Sequence, residues 1–398
     1  MKYRELLERY KKGLVSEEER QMIEEDIEKY EAIEEHLSEI VDMDLINFTT
    51  SKESEQHNEE IIKIKKSVNS RLRKVVFTSV FIMMTLLIGI FFIISPLVDS
   101  FFYDPAKVTV GEVNSDINFD IYALTELNMP GYSLTSDVYV DREGFGEYDI
   151  GYFLTNLFTH EKNYITTKIK RGEKIKNYTE IIQDIGFNFM GVKYPIGNPN
   201  QVNEDKQRVM NHIIQLNPVS YVSANLIFEE DLTMDELREL EEKYPNIDFI
   251  WAGIRTDPNS EMSKDLIGIN LINSNKIYMA REEIVEEKYP AFHILEWLVN
   301  PTGYESGEMS LEAKAYELHY KSLLQYMIDR EEATNVLDRN PRKLEYYKSA
   351  LNYTKDNGVK TFGVLVYANA KDLIELVKNE SIKLLELNQV LASKRYIN

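Results

Sequence analysis

The feature that most constrains this chain is an uncharged run of 24 residues, Val75 to Val98, within a sequence of 398 residues. At about 1.5 Å per residue this run forms a helix of roughly 36 Å, longer than the ~30 Å hydrocarbon core of a bilayer. Helices buried in soluble cores seldom exceed about 20 residues without a polar face, and this run has none. Unlike a cleaved signal peptide it does not end in small residues. We therefore expect a single transmembrane helix over 75–98 that remains in the mature protein.

The charges on either side of the run predict its orientation. Six basic residues precede it, and they are Lys63, Lys65, Lys66, Arg71, Arg73 and Lys74. After the run come Asp99 and Asp104, with no cation before Lys107. The positive-inside rule then places the N-terminus in the cytoplasm and the large C-terminal part outside the cell membrane.

The composition excludes several classes of protein. There is no cysteine, so neither a disulfide framework nor a thiolate zinc site is available. The formal net charge of -21 argues against direct contact with nucleic acid. Such acidity suits either a basic protein partner or simple solubility. The outer part is long enough to bury one large core or two smaller ones.

The first 60 residues carry much of this acidity, with 8 Lys/Arg against 19 Asp/Glu for a net charge of -11. A first helix is predicted to end at Gly13, since glycine readily adopts the left-handed conformation after a helix. Ser16 followed by Glu19 predicts a capping box that opens a second helix. We assign residues 1–46 to a cytoplasmic helical segment and 47–74 to a linker with the basic stretch.

Apolar residues recur at steps of three and four along the acidic helices, which predicts one apolar stripe. Two such short helices cannot fully cover their stripes against each other. The covering partner is either another copy, in a coiled coil, or a basic protein with an apolar groove, which we favour. The candidate partner-binding residues are Leu6, Leu7, Tyr10, Leu14, Met22, Ile23, Ile27, Tyr30, Ile33 and Leu37.

Two strand-helix-strand patterns appear in the C-terminal part. The first has strands at 221–228 and 249–256 around a helix capped by Thr233 with Glu236 at its third position. The second has strands at 361–367 and 382–387 around a helix. We predict an α+β fold in which 206–398 forms an α/β sandwich, with a ferredoxin-like arrangement as the simplest form. A doubly wound parallel sheet would need more repeats.

The region 99–205 differs in character from the C-terminal part. Alternating apolar and polar residues, with turn signals at Pro130-Gly131 and at 142–144, predict an additional antiparallel β region there. The segment 282–338 is mostly helical by its pattern.

The sequence contains no recognisable catalytic motif. Gly144-Phe145-Gly146 lacks the third glycine of a nucleotide-binding loop and is better interpreted as a turn. His293 and Glu296 could contribute to a metal site only with further ligands. We therefore expect no enzyme activity, no metal and no cofactor.

Residues 3–39, followed by a basic stretch and one span, resemble the N-terminal segment of the sigma factor regulator family of membrane-anchored anti-sigma factors. The matching parts are Leu6 to Tyr10, Gly13 to Glu19 and Glu28 to Ala32. Most of 206–390 resembles the family's C-terminal domain. The matching positions there are Ala224 to Phe228, Trp251, Gly253, Asn357-Gly358, Phe362 to Val366 and Lys371 to Leu373. The chain departs from that pattern at Tyr367 to Asn369, where Thr-Gly is usual.

This resemblance implies a single-pass anti-sigma factor of a Gram-positive bacterium, with an extracytoplasmic-function sigma factor as partner. The outer domain would then sense envelope stress and act through a second membrane regulator, a protease or dimerisation. Two alternatives remain open at this point. One is an envelope enzyme or binding protein tethered by its span, and the other is a stalk for division or wall assembly.

Overall fold

The computed structural model describes residues 9–46, 55–111, 113–174, 199–257, 267–271, 288–305, 307, 309–338, 340 and 342–394. The chain divides into two compact units, residues 1–86 and residues 87–398. The helices are α1 Glu17–Ile46, α2 Glu55–Gly89, α3 Ser95–Asp99, α4 Asp116–Asn128, α5 Pro199–Ile214, α6 Met234–Lys243, α7 Ile294–Val299, α8 Leu311–Asp329, α9 Glu331–Leu337, α10 Lys343–Asn357 and α11 Ala370–Asn379. The strands are β1 Tyr132–Leu134, β2 Tyr139–Gly144, β3 Glu147–Asn156, β4 Lys162–Lys170, β5 Glu173–Lys174, β6 Tyr221–Thr233, β7 Asp248–Ile254, β8 Gly268–Asn270, β9 Lys360–Asn369 and β10 Ile382–Leu391.

The described part of the first unit is mostly helical, as predicted. Residues 9–11 form the described end of a helix, and α1 then runs for 30 residues. The helix α2 begins at Glu55, so residues 55–60 are helical where the loss of apolar periodicity predicted a linker. Residues 47–54, the rest of that predicted linker, lie outside the described part of the chain.

The apolar run lies within one continuous helical stretch. After α2 the backbone makes a π-helical turn, Ile90–Ile94, before α3. Pro96 has no backbone N–H and therefore cannot donate to the carbonyl one turn earlier, which accounts for a local change of hydrogen-bond pattern. Residues 62–99 form one helix that is long and apolar enough to cross a membrane. This finding is consistent with a membrane anchor.

The first sheet of the second unit is antiparallel. Its strands follow the order β1-β3-β4-β5, and β2 also pairs with β3. All of its pairings are antiparallel, which agrees with the pattern seen in this part of the sequence. The helix α4 and the start of α5 also lie within 99–205, and the prediction of a β-rich region did not include them.

The second sheet contains both predicted strand-helix-strand motifs. Its order is β10-β6-β9-β7-β8, with every pairing antiparallel. The strands β6 and β7, which α6 joins, have β9 between them. The strands β9 and β10, which α11 joins, have β6 between them. This is the ferredoxin-like topology, extended by β8 at one edge. The capping box of Thr233 and Glu236 at the start of α6 is present as predicted.

The helix α4 is buried along its whole length within the second unit, since all 13 of its residues are buried. Two of its three buried carboxylates, Asp116 and Asp120, face Arg330. The Arg330 guanidinium donates to Asp120 through Nε and Nη2, at 2.9 Å each, and to Asp116 through Nη1 at 3.1 Å. The hydroxyls of Tyr103 and Tyr326 also donate to Asp120, at 2.7 Å each. Burial and the Asp120 carboxylate raise the pKa of Tyr103 well above its ordinary value, so this hydroxyl remains a donor.

Candidate partner-binding site

The entry to the acidic helix α1 is fixed by local hydrogen bonds. Gly13, at φ +69°, ends the preceding helix. The Gly13 amide donates to the Tyr10 carbonyl at 3.0 Å and the Leu14 amide to the Arg9 carbonyl at 2.9 Å, which together make a Schellman motif. The predicted capping box follows. The Glu19 amide donates to Ser16 Oγ at 3.2 Å, and the Ser16 amide donates to the Glu19 carboxylate at 3.0 Å.

The predicted apolar stripe lies on one side of α1. At about 100° per residue its members fall within an arc of about 140° around the helix axis. Between 40% and 73% of each of five of these side chains is exposed in this chain. They are Met22, Ile27, Tyr30, Ile33 and Leu37. Leu14, in the turn before the helix, is 64% exposed.

Two of the candidate residues differ from this exposed set. Ile23 lies within the stripe but is fully buried, so it stabilises the first unit and is not available to a partner. Tyr10 is half-buried and its hydroxyl donates to Glu24 at 3.3 Å, which ties the first helical turn to α1. Leu6 and Leu7 lie outside the described residues.

The flanks of the stripe are strongly acidic. The helix α1 contains 13 Asp/Glu and 2 Lys/Arg, for a net charge of -11. Its two cations are engaged within the helix, Arg20 with Glu24 at 2.9 Å and Lys29 with Glu25 at 3.2 Å. The hydrogen bond from Arg20 lowers the pKa of Glu24, so this carboxylate stays ionised at neutral pH. The helix therefore presents an apolar stripe bordered by negative charge.

The six predicted membrane-flanking cations all lie on α2, and their side chains are exposed. They are Lys63, Lys65, Lys66, Arg71, Arg73 and Lys74. They belong to the same helix as the apolar run, directly before it. Exposed ammonium and guanidinium groups in this position are suited to anionic lipid headgroups.

The described histidines of the second unit do not form a metal site. Among the residues that the structure describes, no group of three or more His, Asp or Glu side chains is placed to hold a metal ion. His293 packs its ring against Tyr122 and Phe292. His319 is buried, with Nδ1 2.8 Å from the Ala291 carbonyl and Nε2 4.0 Å from the Glu126 carboxylate. The contacts of His319 hold α8 against the core.

The arrangement as a whole is suited to binding a protein surface. Apolar side chains at helical spacing provide contact area that is lost to water on association. The surrounding carboxylates favour a cationic partner and oppose an anionic one. Sequence periodicity predicted the stripe, but it could not show that Ile23 is covered by the chain itself.

One known family matches part of the second unit. Residues 213–389 match the family described as "Sigma factor regulator C-terminal". The match starts near the end of α5 and ends in β10, so it covers the second sheet except the last two residues of β10. It confirms the resemblance that the sequence showed for this region. A domain of this description supports a regulatory role toward a sigma factor.

One curated protein is also similar over part of its length. It is the "CRISPR-associated endoribonuclease Cas13a" of Leptotrichia wadei (strain F0279), 23% identical over 283 residues. The aligned part is 66% of this chain and 23% of that protein, so the chain spans about a quarter of the relative it matches. No solved structure matches.

Proposed function

We propose that this chain, whose residues 213–389 carry a sigma factor regulator C-terminal domain, is a membrane-anchored anti-sigma factor. In this proposal α1 binds an extracytoplasmic-function sigma factor in the cytoplasm and keeps it from RNA polymerase and promoter DNA. The observation that carries the proposal is the exposed apolar stripe of α1 between rows of carboxylates, in a chain that also contains this regulatory domain.

The charge and the stripe have separate roles in this binding. A DNA-binding partner is basic, so the net charge of -11 on α1 speeds its encounter with the helix. Burying a half-exposed Ile, Leu or Tyr side chain contributes about 1 kcal/mol, roughly half the value for a fully exposed one. Several such side chains retain the complex after the encounter. The apolar contacts therefore set the dissociation rate, and the charges set the association rate.

The proposed topology is a single pass through the cell membrane with a cytoplasmic N-terminus. It is supported by the long apolar helix and by the six exposed cations that precede it on α2. Residues 99–398 then lie outside, where the domain controls release of the sigma factor in response to envelope stress. A second membrane regulator or a protease is the class of partner that such control would use.

The test is transcription of the sigma factor's target genes in the native host. The double variant Ile27→Asp/Tyr30→Asp places two carboxylates in the stripe and should raise this transcription. Its matched control is Gln21→Asp/Ala32→Asp, which adds the same charge at two exposed positions on the opposite side of α1. The control should leave transcription at the wild-type level. Unchanged transcription in the stripe variant, at normal protein abundance, would refute the proposal.

A further inference from the structure

The outer end of the apolar helix is attached to a turn of the first sheet. This turn, Gly144–Gly146, connects β2 and β3. The Phe145 amide donates to Ser95 Oγ at 2.9 Å, and the Gly146 amide donates to Asp99 Oδ1 at 2.6 Å. The Phe145 ring also meets the Phe91 ring edge-on, with 6.2 Å between centroids. Positions 91, 95 and 99 are four residues apart, so the turn contacts one side of the helix over two turns. On this side, the last two turns of the run predicted as the span therefore face the first sheet rather than lipid.

The backbone of this turn is adapted to that contact. Its three residues all have positive φ, at +87°, +56° and +76°. A non-glycine residue such as Phe145 persists in this conformation only where its surroundings maintain it. A Cβ on Gly144 would lie 2.7 Å from Ser95 Oγ, so any larger residue would displace the hydroxyl that accepts from the Phe145 amide.

The attached part of the helix is where its hydrogen-bond pattern changes. The Ser95 amide donates to the Ile90 carbonyl and closes the π-helical turn, while its hydroxyl accepts from the Phe145 amide. The same residue therefore ends the π turn and joins the helix to the sheet. Irregular helical turns of this kind are frequent at functional sites.

The chain beyond the helix is also tied to the core. The Arg142 guanidinium, on β2, donates to the Asp104 carboxylate at 2.8 Å. The Tyr103 hydroxyl donates to the buried Asp120 at 2.7 Å. The first bond ties this segment to β2, and the second ties it to α4.

We propose that the Gly144–Gly146 turn is a mechanical joint, through which a ligand or partner that displaces the first sheet moves residues 91–99 of the apolar helix. Control across a single span requires a direct physical connection between the outer domain and the helix that enters the membrane. The joint provides this connection. It depends only on contacts within residues 87–398, so it holds or fails independently of the partner proposed for α1.

The test is a distance measurement on the full-length protein in lipid nanodiscs. Because the chain has no cysteine, spin labels can be placed uniquely at Leu97→Cys, on the helix, and Thr166→Cys, on β4. We expect a single narrow distance distribution. In a Ser95→Ala/Asp99→Ala background the distribution should at least double in width, whereas Asp99→Asn alone keeps an acceptor oxygen and should leave it narrow. Unchanged tryptophan emission from Trp251 and Trp297 reports that the domain stays folded.

A second pair of variants separates the contact from general strain in a turn. Gly144→Ala should broaden the distribution because its methyl group meets Ser95. Gly172→Ala is the matched control, since Gly172 lies in the β4–β5 turn at φ +75° and its Cβ would meet only Phe102, at 3.8 Å. Two results would overturn the joint. One is a distance distribution in the Ser95→Ala/Asp99→Ala variant that is as narrow as in its parent. The other is an equal broadening of the distribution by Gly144→Ala and by Gly172→Ala.

Discussion

The buried ion cluster around α4 makes the stability of the outer domain depend strongly on Arg330. Replacing Arg330 by Met removes three hydrogen bonds and leaves the carboxylates of Asp116 and Asp120, both fully buried, without their cation. Removing one partner of a buried ion pair costs about 3–5 kcal/mol, because the remaining charge stays desolvated. The Arg330 side chain is 20% exposed, which places the expected loss at the lower end, about 3 kcal/mol. This is a large fraction of the 5–15 kcal/mol that is typical of a folded domain.

The measurement is urea unfolding of the full-length protein in detergent, followed by tryptophan fluorescence. Trp251 and Trp297 are the two tryptophans of the chain, and both are buried in the second unit. The signal therefore reports on that unit alone. The free energy of unfolding should fall by about 3 kcal/mol in Arg330→Met relative to the wild type.

Two further variants make this prediction specific. Adding Asp116→Asn and Asp120→Asn to Arg330→Met removes the uncompensated charges and should recover at least half of the lost free energy. Lys243→Met breaks the ion pair with Glu380, in which Lys243 is 60% exposed, and should cost less than about 1 kcal/mol. A loss below about 1 kcal/mol in Arg330→Met would show that water screens the cluster and that our reasoning about its burial is wrong.

Three further predictions follow from local features. The association rate of the full-length protein with a purified sigma factor should fall steeply between about 50 and 300 mM salt while the dissociation rate changes little, as measured by biolayer interferometry. Thr233→Ala should cost about 1 kcal/mol at pH 7. The Thr233 amide and hydroxyl both donate to the Glu236 carboxylate and lower its pKa, and alanine keeps the amide. Only the share of the cost that comes from the hydroxyl therefore depends on pH: it is present above the ordinary value of 4.5 and is lost in urea titrations as the pH falls through the lowered pKa. Gly363→Ala should destabilise the domain by about 1–3 kcal/mol because its Cβ would meet a backbone oxygen at 2.5 Å, whereas Gly151→Ala would meet only a movable tyrosine side chain and should cost less.

Features set by neighbouring residues could be predicted from the sequence. The capping boxes at Ser16 and Thr233 each need only a hydroxyl and a carboxylate three residues apart, and both are present. The strands and helices of the second sheet follow from alternation and helical periodicity, and their order is the simplest one for two such units.

The helix α4 was missed for a physical reason. It is buried on every side, so it has no polar face from which helical periodicity could be recognised. Carboxylates such as Asp116, Asp120 and Glu126 usually lie on a protein surface, so the sequence did not indicate a buried helix. Arg330, which pairs with two of them, lies about 210 residues further along the chain. A partner at that separation is a consequence of the tertiary fold and leaves no local pattern.

The start of α2 was missed for the opposite reason. Residues 55–60 lack an apolar stripe, which predicted a linker, yet Glu and Gln favour the helical state and extend a helix that already exists. The joint at Gly144–Gly146 was recognised in sequence only as a turn. Its contact with Ser95 and Asp99 became visible once the structure brought segments about 50 residues apart together.

Co-purification of the full-length protein from native membranes tests the central claim most directly. The wild type and the Gln21→Asp/Ala32→Asp control should each bring down a sigma factor, identified by mass spectrometry, and Ile27→Asp/Tyr30→Asp should bring down at least tenfold less. Recovery of no sigma factor by the wild type, or equal recovery by all three proteins, would contradict the claim that the exposed stripe of α1 binds one.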